Sequence, residues 1–275
     1  MFFRRGKVIS PLGPARLDYG LSPSQARQTL KGLGGLLIRW ADGFCERPSE
    51  WYAMICDRFQ DMASTPSEHR RYIRRGLGNC EIRRVDCEYF SRHAYDVYAN
   101  ASRRYRGDIP TVKSEQEFRH DAEQTAKFED IIHHWVAIHQ GRVIGYGVAC
   151  VYGKIEVTYT QGKLHPEYEK AYPFYALMYE MNRYYLAEQG FGYVFGGYRC
   201  TRHETQIQEF LVKKFGWRKA FSHLYMMYRW DVGLFVKVTY PFGRWIGRLG
   251  GRVKQLYLME GIRRSCERES PQAGL

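Results

Sequence analysis

The sequence predicts an α/β protein of the α+β kind. A mixed, mostly antiparallel sheet is flanked by helices and preceded by a small α+β unit. Three observations lead to this prediction: helices with clear caps, a run of three strands joined by tight turns, and the order of elements. From Cys80 onward the apolar periodicities give β-α-α-β-β-β-α-β-α-β-β. A chain of 275 residues that is 44% apolar and 16% aromatic can bury a substantial core.

Three regions are expected along the chain: a small α+β unit over 1–63, the main domain over 64–231 and a basic tail over 232–275. In the first region, Ser22 and Pro23 predict a helix start, and Gly32 predicts its end. The segments "GGLLIRW" and "WYAMICDRF" have the composition of strands.

The main domain opens with "TPSEHRRYIRRG". Thr65 is the predicted N-cap, Glu68 completes a capping box, and Gly76 is the predicted end of this short helix. The segment "CEIRRV" then alternates like a strand, and "EYFSRHAYDVYANASRRY" has helical spacing. Ser114 and Glu117 form a second capping box and so predict another helix.

Three strands follow in a meander: "HWVAIH", "RVIGYGVACVY" and "KIEVTYT", joined by turns at Gln140-Gly141 and Gly153-Lys154. Pro173 opens the next predicted helix, which Gly190 ends. The remaining elements are the strand "GYVFGG", the helix "HETQIQEFLVKKFG" and a final ribbon, "WRKAFSHLYMMYRW". No period of 20 to 50 residues recurs, so a repeat architecture is excluded.

Charge and cysteine content restrict the partners and the compartment. The net charge of +13 indicates an anionic partner, such as RNA, a phosphate-bearing substrate, a carrier protein or an anionic membrane. The seven cysteines include no C-x-x-C pair, which disfavours a disulfide framework and a zinc ribbon. The same cysteine pattern leads us to expect no metal site. With neither a signal-peptide pattern nor an apolar run long enough to span a membrane, we expect a cytoplasmic protein.

The order of elements is similar to that of the GNAT acyltransferase fold. The stretches "SEHRRYIRRGLGNCEIRRV" and "GYVFGGYRCTRHETQIQEFLVKKFGWRKAF" resemble the Fem-like branch of that superfamily, whose members include peptidyltransferases of peptidoglycan precursors. They look most like members found with bacterial surface-polysaccharide genes. The resemblance covers roughly residues 64 to 231.

The resemblance implies that the fourth and fifth strands of the domain splay apart and that an acyl donor enters the gap. Coenzyme-A-dependent relatives carry a glycine-rich pyrophosphate loop ahead of the third helix, but "GKLHPEYEKAYPFYAL" has no glycine after Gly162. The Fem-like F-K-x-x-F/W-G signature is also displaced, because Leu211 and Val212 stand where its Phe-Lys would fall. The donor therefore remains open among acyl-CoA, acyl-carrier protein and aminoacyl-tRNA.

The helix from His203 contains the main candidates for chemistry. At about 100° per residue, His203, Glu204 and Lys214 fall within or beside the apolar face, whereas Lys213 lies toward the opposite side. His203 and Glu204 also follow the end of a strand, where open α/β sheets place ligand sites. The alternatives are structural: a charge at the helix N-terminus for Glu204, an interior histidine for His203 and a snorkelling Lys214.

Acyl transfer to an amine needs a proton acceptor and a stabilised oxyanion. We assign His203 or Glu204 as the general base, directly or through water, and a backbone N–H in the strand around Val157 to Thr160 as the donor to the acyl carbonyl. Tyr159, within that stretch, is a candidate for substrate binding. Tyr225 is the candidate proton donor to the leaving group, with Tyr228 as the alternative. Arg199 is a candidate for binding an anionic part of the substrate.

A second candidate is a basic cluster. A helix brings Arg70 beside Arg74 and Arg71 beside Arg75, which gives two adjacent basic rows. Such rows suit a nucleotide-sugar diphosphate, a phosphopantetheine carrier or transfer RNA, although a merely solvated face is the alternative. Because aromatic residues hardly interleave with these arginines, sequence-specific nucleic-acid recognition is not expected.

The tail combines apolar and basic residues at helical spacing. Its apolar positions are Trp245, Ile246, Leu249, Val253, Leu256, Tyr257 and Ile262. A basic amphipathic segment can lie on an anionic bilayer, at the inner face of the membrane, or it can pack on its own domain.

Two functions follow as hypotheses. The first is an N-acyltransferase that moves an acyl or aminoacyl group to an amine of a sugar or another cell-envelope precursor. The second is a non-catalytic binding protein that uses a degenerate acyltransferase fold to recruit an anionic polymer or a membrane surface.

Overall fold

The computed structural model describes residues 1–103, 112–201, 206–243 and 251–269. The chain divides into two compact units. The smaller unit comprises Met1–Met54, Tyr198–Gln206 and Lys219–Leu275, and the larger comprises Ile55–Gly197 and Ile207–Arg218. These units interleave along the chain, whereas the regions expected from the sequence follow one another.

The strands, in chain order, are β1 (Phe2–Arg5), β2 (Val8–Pro11), β3 (Leu37–Ala41), β4 (Tyr52–Cys56), β5 (Glu81–Val85), β6 (Ile132–His139), β7 (Arg142–Tyr152), β8 (Glu156–Leu164), β9 (Tyr193–Tyr198), β10 (Arg218–Phe221) and β11 (Leu224–Tyr228). The α-helices are α1 (Pro23–Gly32), α2 (Ser67–Asn79), α3 (Cys87–His93), α4 (Tyr95–Arg103), α5 (Glu115–Glu123), α6 (Pro173–Asn182), α7 (Gln206–Phe215), α8 (Trp230–Thr239) and α9 (Gly251–Glu269). Short 3-10 helices span Ala126–Phe128, Pro166–Ala171 and Tyr240–Phe242, and a π-helical segment, Arg183–Glu188, continues α6.

The smaller unit contains a four-stranded sheet in the order β1-β2-β3-β11. Only the β2–β3 pair is parallel. Helix α1 begins as predicted. The Ser22 hydroxyl accepts a hydrogen bond from Gln25 N–H, and the Gln25 side-chain oxygen accepts one from Ser22 N–H. The core beneath this helix is formed by Ile9, Ala26, Leu30, Ile38 and Trp40.

The larger unit holds five strands in the order β9-β8-β7-β6-β5, within a seven-stranded sheet whose other strands, β4 and β10, cross the boundary between the units. The β5–β8 pairs are antiparallel, and β8 pairs with β9 in parallel. The predicted meander and the predicted mixed, mostly antiparallel sheet with flanking helices are therefore confirmed. One face of the sheet packs on α3, α4 and α5, around a core of Phe90, Ala94, Val97, Phe118, Ala122, Val136, Ile138, Val143, Tyr146 and Val148.

Three details of the main domain differ from the sequence predictions. Helix α2 begins at Ser67, one residue later than a Thr65 N-cap requires, because the Thr65 hydroxyl donates to the Asp61 carbonyl at 2.7 Å. Gly76 does not end that helix, since α2 continues to Asn79. The predicted single helix after β5 is two helices, α3 and α4, separated at Ala94.

The predicted final ribbon is also wrong. Its two strands, β10 and β11, belong to different sheets, and β4 lies between β9 and β10 in the seven-stranded sheet. Strand pairing of this kind joins residues far apart in sequence, so local patterns do not determine it.

The tail helix α9 packs on its own unit. Tyr257 and Ile262, which belong to the predicted apolar stripe, are buried, as are Met259 and Cys266. Trp245, Ile246 and Leu249 lie outside the described residues. Within the described ranges, no helix combines the length and hydropathy that a bilayer crossing requires.

Two adjacent histidines on β6 are buried in the neutral form. Burial lowers the pKa of His133 to about 4, and Arg84 adds to the shift. Burial also lowers the pKa of His134 to about 4, despite the opposing charges of Glu129 and Asp86. In the unfolded chain both have the ordinary value of 6.5, so the unfolded state binds more protons between pH 6.5 and 4.

We therefore expect the free energy of unfolding to fall as the pH drops from 6.5 to 4, by up to about 3 kcal/mol per histidine. Urea titrations at several pH values measure this. His134→Phe should remove about half of the dependence, because His134 stacks on Phe90 at 4.4 Å and a phenyl ring fits the same contact. The control is His120→Gln, at an exposed position on α5. An unchanged pH dependence in His134→Phe would contradict the assignment.

Candidate functional site

The central feature of the larger unit is the divergence of β8 and β9. The two strands pair in parallel for three residues, from Glu156↔Tyr193 to Thr158↔Phe195. Strand β8 then continues beside β7 to Leu164. Among the described residues, β8 has no β9 partner after Thr158. From Tyr159 onward, the edge of β8 that faced β9 has no strand partner among the described residues, and we call the space beside this edge the gap. Such a free edge can bind an extended polar ligand through backbone groups.

A β-bulge marks the same point. Ala149 pairs with Tyr159, but Val148 pairs with Gln161, so Thr160 is the extra residue. The Thr160 hydroxyl donates to the Val148 carbonyl at 3.1 Å, which anchors the bulge to β7. A bulge bends the strand and redirects its side chains. Here it turns β8 where the pairing with β9 ends.

Glu156 joins the two strands just before they separate. Its carboxylate is buried, with 1% of the residue exposed, and it accepts hydrogen bonds from Thr158 on β8 and Tyr193 on β9. A buried carboxylate is stable only with such donors. The sequence analysis missed this residue, although "KIEVTYT" carries a signal: an acidic residue in a strand of otherwise apolar and hydroxyl-bearing residues.

Aromatic and amide groups lie beneath the divergence. The Tyr159 hydroxyl donates to Asn182 Oδ1 at 2.9 Å, and the Tyr159 ring packs on Tyr185 and Trp217. Burial raises the pKa of Tyr159 well above its ordinary value. The Tyr159 phenol is therefore neutral, and its hydroxyl is already used as a donor.

Two glycines just before the last residue of β9 have different constraints. A Cβ at Gly196 would lie 2.6 Å from Trp217 Cζ3, so the indole occupies the space of a side chain. Gly197 has a φ of +104°, which only glycine adopts without strain. The Trp217 indole N–H is buried and has no acceptor in the described part of the chain.

The four arginines predicted to bind an anion lie on α2. Arg70 donates to the Thr65 carbonyl at 3.0 Å, and the Arg71 guanidinium lies over the Tyr72 ring at 5.1 Å. Arg74 and Arg75 are exposed and make neither an ion pair nor a hydrogen bond with the described residues. Their charges are thus available to a ligand.

Helix α2 packs directly against the first turn of α6. A Cβ at Gly76 would lie 2.6 Å from the Tyr172 carbonyl oxygen, and the Tyr72 ring contacts Tyr172 and Tyr175 at 5.3 Å. Tyr172, at the N-terminus of α6, supplies no side-chain cap, and Pro173 follows it. Pro173 has no N–H, and Tyr175 N–H donates to the Tyr172 carbonyl at 3.1 Å, so Phe174 N–H is the first-turn donor without a partner among the described residues. The positive end of the α6 dipole thus lies beside a basic helix, an arrangement that favours negative charge.

Lys213 and Lys214 differ as predicted. The Lys213 side chain is 72% exposed, whereas that of Lys214 is 20% exposed and pairs with Glu68 of α2 at 3.3 Å. The structure thus brings Lys214 to the helix that carries the four arginines. Next to Glu68, both ring nitrogens of His69 are buried without partners in the described part of the chain. Burial and the Lys214 charge lower the His69 pKa.

Two predicted residues lie in the smaller unit. Arg199 Nη1 donates to the carbonyl and the carboxylate of Glu50, at 2.9 and 3.1 Å. The Tyr225 hydroxyl donates to Asp42 Oδ2 at 2.9 Å, and burial together with Asp42 raises its pKa to about 12. His203 and Glu204 lie outside the described residues. The catalytic and binding roles of these four residues remain predictions.

No protein-family model and no curated protein matches this chain. Solved structures do match. The similarity to FemX has a TM-score of 0.47 at 13% identity, over 74% of this chain and 68% of FemX. A putative lysylphosphatidylglycerol synthetase C-terminal domain from Agrobacterium fabrum gives a TM-score of 0.46 at 13% identity, over 72% of this chain and 65% of that one.

The PaiA N-acetyltransferase of Thermoplasma acidophilum, in complex with coenzyme A, gives a TM-score of 0.34 at 16% identity. That match covers 41% of this chain and 74% of the acetyltransferase. This chain therefore spans about two thirds of FemX and slightly less of the synthetase domain. Because every one of these TM-scores is below 0.5, the functional proposal rests on the geometry of the larger unit.

The close approach of α2 and α6 leads to a matched pair of glycine substitutions. Gly76→Ala should lower the free energy of unfolding by about 1 to 3 kcal/mol, because the new methyl group meets the Tyr172 carbonyl. Gly78→Ala, on the same helix with open space around it, should raise that free energy by about 0.5 to 1 kcal/mol. Chemical denaturation measures both. Equal effects of the two variants would contradict the packing described for Gly76.

Proposed function

We propose that the chain is an acyltransferase of the Fem-like GNAT type. It moves an acyl or aminoacyl group from a thioester or an aminoacyl-tRNA to an amine of a sugar or another cell-envelope precursor. The observation that carries this proposal is the divergence of β8 and β9 at a bulge. β8 and β9 are the fourth and fifth strands in the predicted order of elements. Glu156 on β8 accepts a hydrogen bond from Tyr193 on β9 just before the pairing of the two strands ends.

The reaction takes place by direct attack in a ternary complex. The acceptor amine attacks the acyl carbonyl carbon, and a C–N bond forms as the carbon becomes tetrahedral. His203 or Glu204 accepts the amine proton, directly or through water. The C–S bond of a thioester, or the C–O bond of an aminoacyl ester, then breaks. The leaving sulfur or oxygen takes a proton, for which Tyr225 is our assignment; its hydroxyl, which donates to Asp42 at 2.9 Å, exchanges that acceptor for the leaving atom.

The backbone supplies the oxyanion contact in this proposal. An N–H of β8 near Tyr159, at the free edge after Thr158, donates to the acyl oxygen as negative charge develops there. Glu156 is a positioning residue, because its bonds to Thr158 and Tyr193 fix where the two strands part. Tyr159 shapes the floor of the gap, since its hydroxyl is already bound to Asn182.

The anionic part of the donor is assigned to α2 and the start of α6. Arg71, Arg74 and Arg75 supply charge, Arg70 braces the start of α2, and Phe174 N–H at the positive end of the α6 dipole supplies a donor. Lys214 adds a partly buried charge where α7 meets α2, through its ion pair with Glu68. This set replaces the glycine-rich loop that the β8–α6 connection lacks. Acyl-CoA, acyl-carrier protein and aminoacyl-tRNA all carry the phosphate groups that such a site binds.

In this proposal the protein works in the cytoplasm, in peripheral contact with the inner face of the membrane. Its acceptor is an anionic small molecule or a glycan precursor, and Arg199 is assigned to an anionic group of that substrate. A carrier protein or transfer RNA is the partner where it delivers the acyl group. Sequence-specific nucleic-acid binding is not part of the proposal, and neither is a metal ion.

A donor screen with purified protein tests the central proposal. We expect one donor class to support transfer to amino sugars. In at least one of His203→Ala and Glu204→Ala, kcat should fall by about 10²-fold or more, the usual contribution of a general base. His120→Ala on α5 is the control for loss of an exposed histidine. Full activity in both site variants would remove this catalytic assignment.

The arginine assignment has its own test. Arg74→Glu and Arg75→Glu should raise the KM for the donor about tenfold at low salt while leaving kcat unchanged, and the effect should shrink as salt rises. Lys127→Glu is a matched control, because Lys127 is an exposed cation of the same unit that forms no ion pair with the described residues. If the control raises KM equally, these arginines form no donor site.

The second candidate function is non-catalytic recruitment of an anionic polymer or membrane. The observation that favours it is the pair of free cations, Arg74 and Arg75, combined with the missing glycine-rich loop. Thermal-shift assays separate the two candidates. Recruitment is supported if no acyl donor shifts the melting temperature while RNA or lipid binding is lost steeply with salt.

A further inference from the structure

Helix α8 in the smaller unit has an apolar face that points to solvent. Trp230 is 79% exposed, Leu234 57% and Val238 59%, and Phe242 in the following turn is 60% exposed. These four residues are spaced by four, so they form one row along the helix. Phe235, beside the row, is also exposed. Large contiguous apolar patches are uncommon on monomeric proteins and mark interaction sites.

The opposite side of α8 holds the helix on its unit. Val236 is 2% exposed, and the Thr239 hydroxyl accepts from the Tyr257 hydroxyl of α9 at 2.7 Å. The helix is therefore docked by one side, and the exposed row lies on the other. A surface helix normally has its apolar stripe toward the core. In α8 the outer face is the more apolar one, so the row needs an occupant.

The segment that carries this row has a net positive charge. Lys237 is exposed on α8 and forms no ion pair with the described residues. Between residues 229 and 269 the sequence has nine lysines and arginines but four acidic residues, and the whole chain carries +13. A row of apolar side chains with a free lysine on the same helix, in a segment of net positive charge, matches an anionic bilayer, whose headgroups attract the charges while the acyl boundary accepts the apolar groups.

We propose that α8 docks the protein on an anionic lipid bilayer. Trp230, Leu234, Val238 and Phe242 enter the boundary between headgroups and acyl chains, and Lys237 reaches the lipid phosphates. The helix lies in the plane of the interface and does not cross it. A second copy of the chain fits less well, because it would bring the same positive charge to the same face.

The stripe that the sequence suggested for membrane contact is not the one that serves this proposal. Tyr257 and Ile262 of α9 are buried within the smaller unit. The exposed row of α8 contains none of those seven apolar positions, although Leu234, Val238 and Phe242 lie in the tail region, 232–275. The docking surface proposed here is a different stripe of the tail. It makes specific the peripheral membrane contact of the proposed function, and it does not depend on acyl transfer.

Vesicle flotation with the full chain tests the proposal without any donor or acceptor. We expect the protein to float with vesicles of phosphatidylcholine containing about 30% phosphatidylglycerol, and much less with pure phosphatidylcholine. A double variant, Leu234→Asp with Val238→Asp, should bind anionic vesicles at least tenfold more weakly. Lys237→Glu should weaken binding several-fold, with a loss that fades at high salt.

Ile155→Asp is the matched control, because Ile155 is an apolar residue of the larger unit with 46% exposure. It should bind vesicles like the wild type. Since the substituted positions are exposed, melting temperatures should stay unchanged, and Leu234→Ser is the milder variant if the double variant is unstable. The proposal is overturned if the wild type does not float or if the double variant floats equally well. Sedimentation velocity gives a further overturning result: a wild-type dimer that the double variant dissociates, with no vesicle binding.

Discussion

The parallel pairing of β8 and β9 is the constraint on which the larger unit depends. Parallel neighbours need a crossover connection, and here it consists of α6 and its π-helical continuation. The crossover must lie against the sheet, so β7 and β8 have to accept a helix at close range. The geometry of the candidate site follows from this contact, because the gap, the bulge and the start of α6 all belong to the same crossover.

Small residues on β7 make that contact close. A Cβ at Gly145 would lie 3.4 Å from Leu177, and a Cβ at Gly147 would lie 2.9 Å from the Met181 sulfur. Glycine at both positions lets the apolar face of α6 rest on the strand itself. Gly76 of α2 likewise allows a close contact with α6, because a Cβ there would meet the Tyr172 carbonyl. Gly145 and Gly147 thus set the distance of α6 from the sheet, and Gly76 sets the distance of the arginine-bearing helix α2 from α6.

The sequence predicts a structural feature correctly where residues close together in the chain determine that feature. The capping boxes at Ser22 and Ser114 were correct because each needs only residues three apart, and the exposure of Lys213 and Lys214 followed from helical geometry alone. Thr65 failed as a cap because its hydroxyl had a competing local acceptor, Asp61. The pairing of β10 and β11 failed because partners distant in sequence decide it.

The candidate site shows the same division. The arginines of α2 and the gap after β8 could be expected from the pattern and the family resemblance, whereas Glu156 could not. The role of Glu156 depends on Tyr193, which lies 37 residues away along the chain and directly opposite Glu156 in the sheet. Helix α8 was missed for another reason: "VGLFVKVT" is rich in β-branched and aromatic residues, which favour strands unless tertiary contacts decide otherwise.

Glu156 and α8 invert the usual partition of polar and apolar groups in opposite directions. Glu156 buries a carboxylate, and α8 exposes a row of large apolar side chains. Natural sequences keep such inversions where function requires them, because each one costs stability that a conventional residue would not. Glu156 recovers that cost through the hydroxyls of Thr158 and Tyr193, which are in place within the unit. The described residues of the smaller unit offer no comparable cover for the row from Trp230 to Phe242, and for this reason we assign its compensation to a lipid surface.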